Sequence, residues 1–144
     1  MFSRILAAYD GSRGAETALR QALDLAQLCG AELLVLTVVR HFSLLEASFS
    51  MAQPDEPHTS EQAMQSFARD LADRAKSAAA AAGVAARTFV KSGQPARSIV
   101  AFAGEHDVDL IVVGSRGLGA IENYLLGSVS HKVTGLAKCP VLVV

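Results

Sequence analysis

Apolar residues in this chain fall into short runs of strand length that are separated by longer stretches with helical spacing. The short runs occupy residues 4–9, 33–39, 84–90, 109–114 and 140–144. Nearly continuous apolar runs are typical of strands that helices cover on both faces, as happens in parallel sheets. The pattern therefore predicts five strands in one parallel sheet.

Helical spacing fills most of the intervals between these strands. The first helical stretch ends at Gly30, where a helix commonly stops in the left-handed conformation, and the second runs up to Gly83. Pro95 suits the first turn of a third helix, and a fourth helix ends near Ala137. Alternating strands and helices predict a single open three-layer α/β domain over residues 1–144 with right-handed crossovers.

The regular pattern is interrupted between residues 41 and 60. This stretch contains Pro54 and Pro57 and three acidic residues, but no Lys or Arg. It is predicted to be a flexible acidic connector. Long irregular loops in compact domains are often functional, so the connector is interpreted as a lid, as a partner-binding surface or as an inert segment.

Composition narrows the possible partners. Thirteen Lys and Arg residues oppose 14 Asp and Glu residues, and the net charge of -1 provides no basic field for nucleic acid or an anionic membrane. The apolar run at the N-terminus meets Asp10 too early for a signal peptide, and no uncharged stretch is long enough to span a bilayer. Cys29 and Cys139 lack zinc or redox spacing, which favours a reducing cytoplasm.

Turn-forming and polar residues follow two of the predicted strands. Ligands of open α/β sheets bind outside the carboxyl ends of the strands, so these residues are candidates for one common crevice. Those after the first strand are Asp10, Gly11 and Ser12, and those after the fourth are Gly114, Ser115, Arg116 and Gly117.

The most specific signal is the glycine spacing in the second group. Two residues separate Gly114 from Gly117, nine separate Gly117 from Gly127, and Ser128 follows directly. Glycines allow backbone N–H groups to approach a ligand closely, and a helix that begins near Ser128 adds further N–H groups and a positive dipole end. This helix start brings Val129 and the hydroxyl of Ser130 into the candidate site. A polyphosphate is the predicted ligand of this site.

The two standard nucleotide fingerprints are absent from the chain, since it has no G-x-x-x-x-G-K-[ST] and Glu122 stands where G-x-G-x-x-G needs a third glycine. The spacing G-x2-G-x9-G-[ST] is instead similar to the ATP-binding motif of the universal stress protein family. The resemblance spans the whole chain and includes Asp10 after the first strand, Gly93 with Pro95, the SVSHKV helix and the final CPVLVV strand.

This resemblance implies a fold and a set of roles. The fold is a five-stranded parallel sheet of order 3-2-1-4-5 with helices on both faces, as in Rossmann-like and adenine nucleotide alpha hydrolase-like proteins. Asp10 would lie by the nucleoside, the backbone near Val38 would hold adenine, and the glycine loop with Ser128 would hold the phosphates of ATP. Mg²⁺ or Mn²⁺ would bind through those phosphates.

The resemblance also implies a homodimer, formed when the last strands of two copies pair through Val141, Leu142, Val143 and Val144. The connector is then expected to fold across the adenine end of the crevice. Tyr9 departs from the small aliphatic residue that the family often has there, and we assign it no ligand role. Four scattered histidines offer no metal-ligand spacing, so no metal site made by protein side chains is expected.

The preferred function is nucleotide binding without turnover, in a regulatory or stress-survival protein whose ATP occupancy alters its dimer or its choice of an unknown protein partner. A slow ATPase or phosphotransferase is the enzymatic alternative, although no general base or lysine is evident beside the glycine loop. A dimeric scaffold with a vestigial pocket is the other alternative. This chain lacks the clustered acids of a response-regulator receiver and the phosphate loop of a flavodoxin, so both of these protein classes are disfavoured.

Overall fold

The computed structural model describes residues 1–40, 59–115 and 127–144. Strands and helices alternate through these ranges. The strands are β1 (Arg4–Ala8), β2 (Glu32–Val39), β3 (Ala86–Ser92), β4 (Leu110–Val113) and β5 (Val141–Val143). The helices are α1 (Arg13–Cys29), α2 (Thr59–Ala81), α3 (Pro95–Glu105) and α4 (Ser128–Leu136).

The five strands form one parallel sheet of order β3-β2-β1-β4-β5, which confirms the predicted fold. β1 lies in the middle, and Ile5 is in register with Leu33 on one side and Leu110 on the other. Strand order reverses between β1 and β4. In sheets of this kind that reversal opens a crevice at the carboxyl ends of the strands.

Side chains alternate between the two faces of the sheet, and each face has its own buried cluster. Ile5, Ala7 and Tyr9 pack with α1 and α2, whereas Leu6 and Ile111 pack with α3 and α4. All of these side chains are almost fully buried. Helices therefore cover both faces, which explains why the buried middle of β1 and all of β4 are apolar.

Local capping sets the helix boundaries. Ser12 caps the start of α1, and Gly30 ends that helix with a φ of 64°. β3 begins two residues later than predicted, because α2 closes through Gly83 at a φ of 71° and a bond from the Val84 N–H to the Ala79 carbonyl. Val84 therefore belongs to the helix end rather than to the strand.

Two predicted features lie outside the described residues. One is the acidic connector, except for its last two positions, which open α2. The other is the middle of the glycine loop, with Arg116 and Gly117. Within the ranges that are described, none of the helices is long and apolar enough to cross a membrane.

Candidate functional site

The loop after β1 is organised by its own side chains. The Asp10 carboxylate accepts a hydrogen bond from the Ser12 N–H at 2.9 Å. The Ser12 hydroxyl oxygen then accepts one from the Ala15 N–H at 3.2 Å, and its carbonyl accepts the first bond of α1, from the Glu16 N–H. This Asx turn followed by a helix cap fixes the Asp10 carboxylate at the crevice end of β1.

Gly11 allows this loop to turn sharply. Its φ of +80° is a conformation that residues with a Cβ rarely adopt. A Cβ at this position would also lie 2.8 Å from Cδ2 of Leu71, a buried side chain of α2. The sequence signal for Gly11 was local, whereas nothing local indicated that α2 would press against it.

The loop after β4 approaches the same place. A Cβ on Gly114 would lie 2.6 Å from the Gly14 carbonyl carbon and 2.7 Å from its oxygen, in the first turn of α1. Backbone meets backbone at this contact, so a side chain would have no room unless the main chain moved. The structure thus brings Gly114 of the second sequence-predicted group against the turn that Ser12 caps in the first.

The two described ends of the glycine loop are held together by hydrogen bonds. The Ser115 carbonyl accepts from the Gly127 N–H and lies 3.1 Å from the Ser130 hydroxyl, which is at the same distance from the Gly127 carbonyl. Ser130 is buried, so its hydroxyl donates to these carbonyls inside the fold. The Ser115 N–H donates to the Val144 carbonyl at 2.7 Å, which ties the loop to the end of β5.

The backbone N–H groups in the first turn of α4 are available to bind a ligand. Gly127 is the N-cap, and no side chain in the described part of the chain caps this helix. The first-turn N–H groups of Ser128, Val129 and Ser130 precede the first helical bond, from the His131 N–H to the Gly127 carbonyl. An uncapped helix N-terminus with its positive dipole end binds anions such as phosphate.

Val38 lies at the same end of the sheet. Ala8 is in register with Leu36, so Val38 is two residues past its pair on β2, as Asp10 is on β1. The Thr37 hydroxyl donates to the Tyr9 carbonyl at 2.9 Å and holds the two strand ends together. Val38 itself is only half-buried. The ligand roles predicted for these residues stay predictions.

One polar group beside the site was not predicted. The Tyr9 hydroxyl donates to Glu16 Oε1 at 2.5 Å, and Arg74 Nη2 donates to the same oxygen at 2.6 Å. Tyr9 is buried, and desolvation together with the Glu16 carboxylate raises its pKa to about 12. The sequence signal for this group is a phenol at the end of an apolar run, since a buried Tyr hydroxyl usually finds a partner.

Comparisons with known proteins identify the family of this chain. A sequence model of the universal stress protein family matches residues 1–144. The universal stress protein YxiE of Bacillus subtilis is 39% identical, and the match covers 100% of this chain and 99% of that protein.

Solved structures are similar over comparable lengths. The hypothetical protein MJ0577 has a TM-score of 0.83 at 26% identity, covering 100% of this chain and 96% of that chain. A universal stress protein solved in complex with cAMP has a TM-score of 0.73 at 28% identity, with 99% and 97% covered. The sheet order, the two converging loops and these matches show that the chain belongs to the universal stress protein family.

Proposed function

We propose that this protein binds ATP at the crevice between β1 and β4 and acts as a nucleotide-responsive regulatory protein in stress survival. The observation that carries the proposal is the junction of Ser115, Gly127 and Ser130, which holds the two described ends of the glycine loop together beside an uncapped helix start. The relative that was solved with cAMP supports an adenine nucleotide as the ligand.

The described residues fit such a ligand. Phosphates would be held by the N–H groups of Ser128, Val129 and Ser130, with the Ser128 hydroxyl as a further donor, because that side chain is exposed. Gly114 lets the loop after β4 lie against the first turn of α1, and the Asp10 carboxylate would accept from a ribose hydroxyl. Mg²⁺ or Mn²⁺ would accompany the phosphates. The predicted contacts of Gly11, Ser12, Val38, Arg116 and Gly117 belong to the same proposal.

The proposal includes a homodimer and a regulatory protein partner. β5 is at the edge of the sheet, and Leu142 on this strand is an exposed large apolar residue. Pairing of two such edges would cover that surface. A cytoplasmic location also belongs to the proposal, because Cys29 and Cys139 are free thiols.

Calorimetry with Mg-ATP, and with AMP, cAMP and GTP in parallel, tests the binding proposal. We expect a micromolar Kd for ATP, which corresponds to about -8 kcal/mol. Gly127→Trp should abolish binding, because its indole would fill the space beside the first turn of α4. Gly104→Trp is the matched control, since Gly104 lies in α3 with open space around it. No heat with any nucleotide, in protein stripped of co-purified ligand, would refute the proposal.

A further inference from the structure

Helix α2 contacts the candidate site at two points. Leu71 packs against Gly11, and Arg74, one turn further along, donates from Nη2 to Glu16 Oε1 at 2.6 Å. Both contacts lie near the crevice end of the sheet, where Gly11 follows β1 and Glu16 occupies the first turn of α1. The helix is therefore attached to both sides of the turn that Ser12 caps.

The Glu16 carboxylate connects this helix with the end of β1. The oxygen that accepts from Arg74 also accepts from the Tyr9 hydroxyl at 2.5 Å. A carboxylate that receives two donors, one of them a buried phenol, makes short charge-assisted hydrogen bonds. The end of β1, helix α1 and helix α2 thus meet at one carboxylate oxygen.

Tyr9 is held on its other sides as well. Its N–H donates to the Leu36 carbonyl and its carbonyl accepts from the Thr37 hydroxyl, each at 2.9 Å. The next residue is Asp10, whose carboxylate orders the loop. A displacement of α2 relative to α1 would therefore reach Asp10 through the Tyr9 hydroxyl and Gly11 through Leu71.

We propose that Tyr9, Glu16 and Arg74 are positioning residues of the nucleotide site, and that they couple occupancy of the site to the position of α2. The inference rests on the proposed nucleotide binding. A ligand that favours the observed loop conformation must equally favour the observed position of α2, because coupling between two sites is reciprocal. The positioning network, defined as these three residues, touches no ligand itself.

A purely structural role for the network makes a different prediction. Glu16 and Arg74 are 37% and 58% exposed, and exposed ion pairs contribute little to stability. If the contacts were only structural, Arg74→Met would change neither the unfolding temperature nor the Kd to a measurable degree. A positioning role requires an effect on Kd that exceeds any effect on stability.

The test is a double-mutant cycle on the Kd for Mg-ATP, with Tyr9→Phe, Arg74→Met and both together. Each single substitution should raise Kd about fivefold or more, the usual lower range of coupling between sites. The double variant should bind no more weakly than the worse single variant, because both break the same path. Arg69→Met is the matched control on an exposed position of α2 and should leave Kd unchanged.

Hydrogen exchange provides the second readout. ATP should slow exchange in α2 of the wild type and of Arg69→Met, and this protection should be lost in Tyr9→Phe. If the wild type binds Mg-ATP and the network variants bind it with the same Kd, the inference alone is overturned. It is also overturned alone if the effects of the two substitutions on Kd simply add. A wild type that binds no nucleotide would overturn the proposed function together with it.

Discussion

Tyr9 is the residue at which the apolar core meets the polar crevice. Its ring is buried among α1 and α2, while its hydroxyl donates to Glu16. Desolvation is the largest cause of its raised pKa, followed by the hydrogen bond and the charge of Glu16, and the Arg74 guanidinium opposes them. The phenol is therefore strongly held in its neutral, hydrogen-donating form.

Titration of this phenol should show its environment directly. In a Tyr124→Phe background, which leaves Tyr9 as the one tyrosine, phenolate absorbance should appear at a pH of about 12 rather than near the ordinary value of 10. The folded pKa lies above the unfolded one. The stability due to the neutral phenol is thus complete below about pH 10 and is lost as the pH rises towards 12.

Glu16→Gln provides the comparison for this titration. It removes the acceptor charge but leaves the burial of Tyr9 in place, so the pKa should fall without returning fully to 10. A wild-type tyrosine that titrates near 10 while the protein remains folded would contradict the buried hydrogen bond.

Local signals predicted individual residues well where the interaction was also local. The capping roles of Ser12 and Gly30 could be predicted because a helix cap involves only the neighbouring few positions. The ion pair between Glu16 and Arg74 could not be predicted from the sequence, because 58 positions separate the two residues and each would suit an exposed helix face. Tyr9 was noticed as a departure, but its partner depends on how α1 packs against the sheet.

At the scale of elements, the contact between β4 and α1 determines how the two loops of the site meet. Gly114 follows β4, and its Cα lies against the backbone of Gly14 in the first turn of α1. Neither glycine has a positive φ. The requirement at Gly114 is therefore one of space rather than of conformational freedom.

Gly114→Ala should lower the free energy of unfolding by about 1–3 kcal/mol, the usual cost of forcing a methyl group into a packed region. It should also weaken ATP binding, because the first turn of α1 must move. Gly104→Ala is the matched control in α3, where nothing lies within 4 Å of the added Cβ, and it should raise stability by about 0.5–1 kcal/mol. Urea unfolding of both variants measures the difference, and equal midpoints would contradict the close approach.

The elements themselves were largely predictable, but their order in the sheet was not predictable from the same information. Apolar runs and helical stripes report which faces are buried, and all five strands appear where such runs occur. Periodicity does not state which strands are neighbours. The strand order followed from the family resemblance, which rested on the glycine spacing. The predicted start of β3 was wrong because the end of α2 depends on capping geometry.

At the scale of the whole molecule, one edge of the sheet has an apolar surface. The strand order ends at β5, whose neighbour within the described residues is β4. Leu142 on β5 and Leu136 at the end of α4 are 36% and 50% exposed. An exposed apolar edge of this kind is prone to pair with another chain.

Leu142→Lys should convert the proposed dimer to a monomer, because two copies of the charge would meet across a two-fold interface. Sedimentation equilibrium across a concentration series measures the mass. Leu28→Lys is the control, since Leu28 is an 83% exposed leucine on α1, outside the edge formed by β5. A wild-type mass of one chain at every concentration, or a variant that remains dimeric, would contradict the proposed pairing through β5.

The central position of β1 has a consequence for how the chain folds during synthesis. β1 can pair with β2 soon after the turn at Gly30 emerges, but its other partner is β4, and the Ser3 N–H reaches the Asp109 carboxylate across 106 positions. Until β4 is made, the central strand of the sheet keeps one unpaired edge. Nascent chains that stall between these strands should therefore be the forms of this protein most prone to aggregation and most dependent on chaperones.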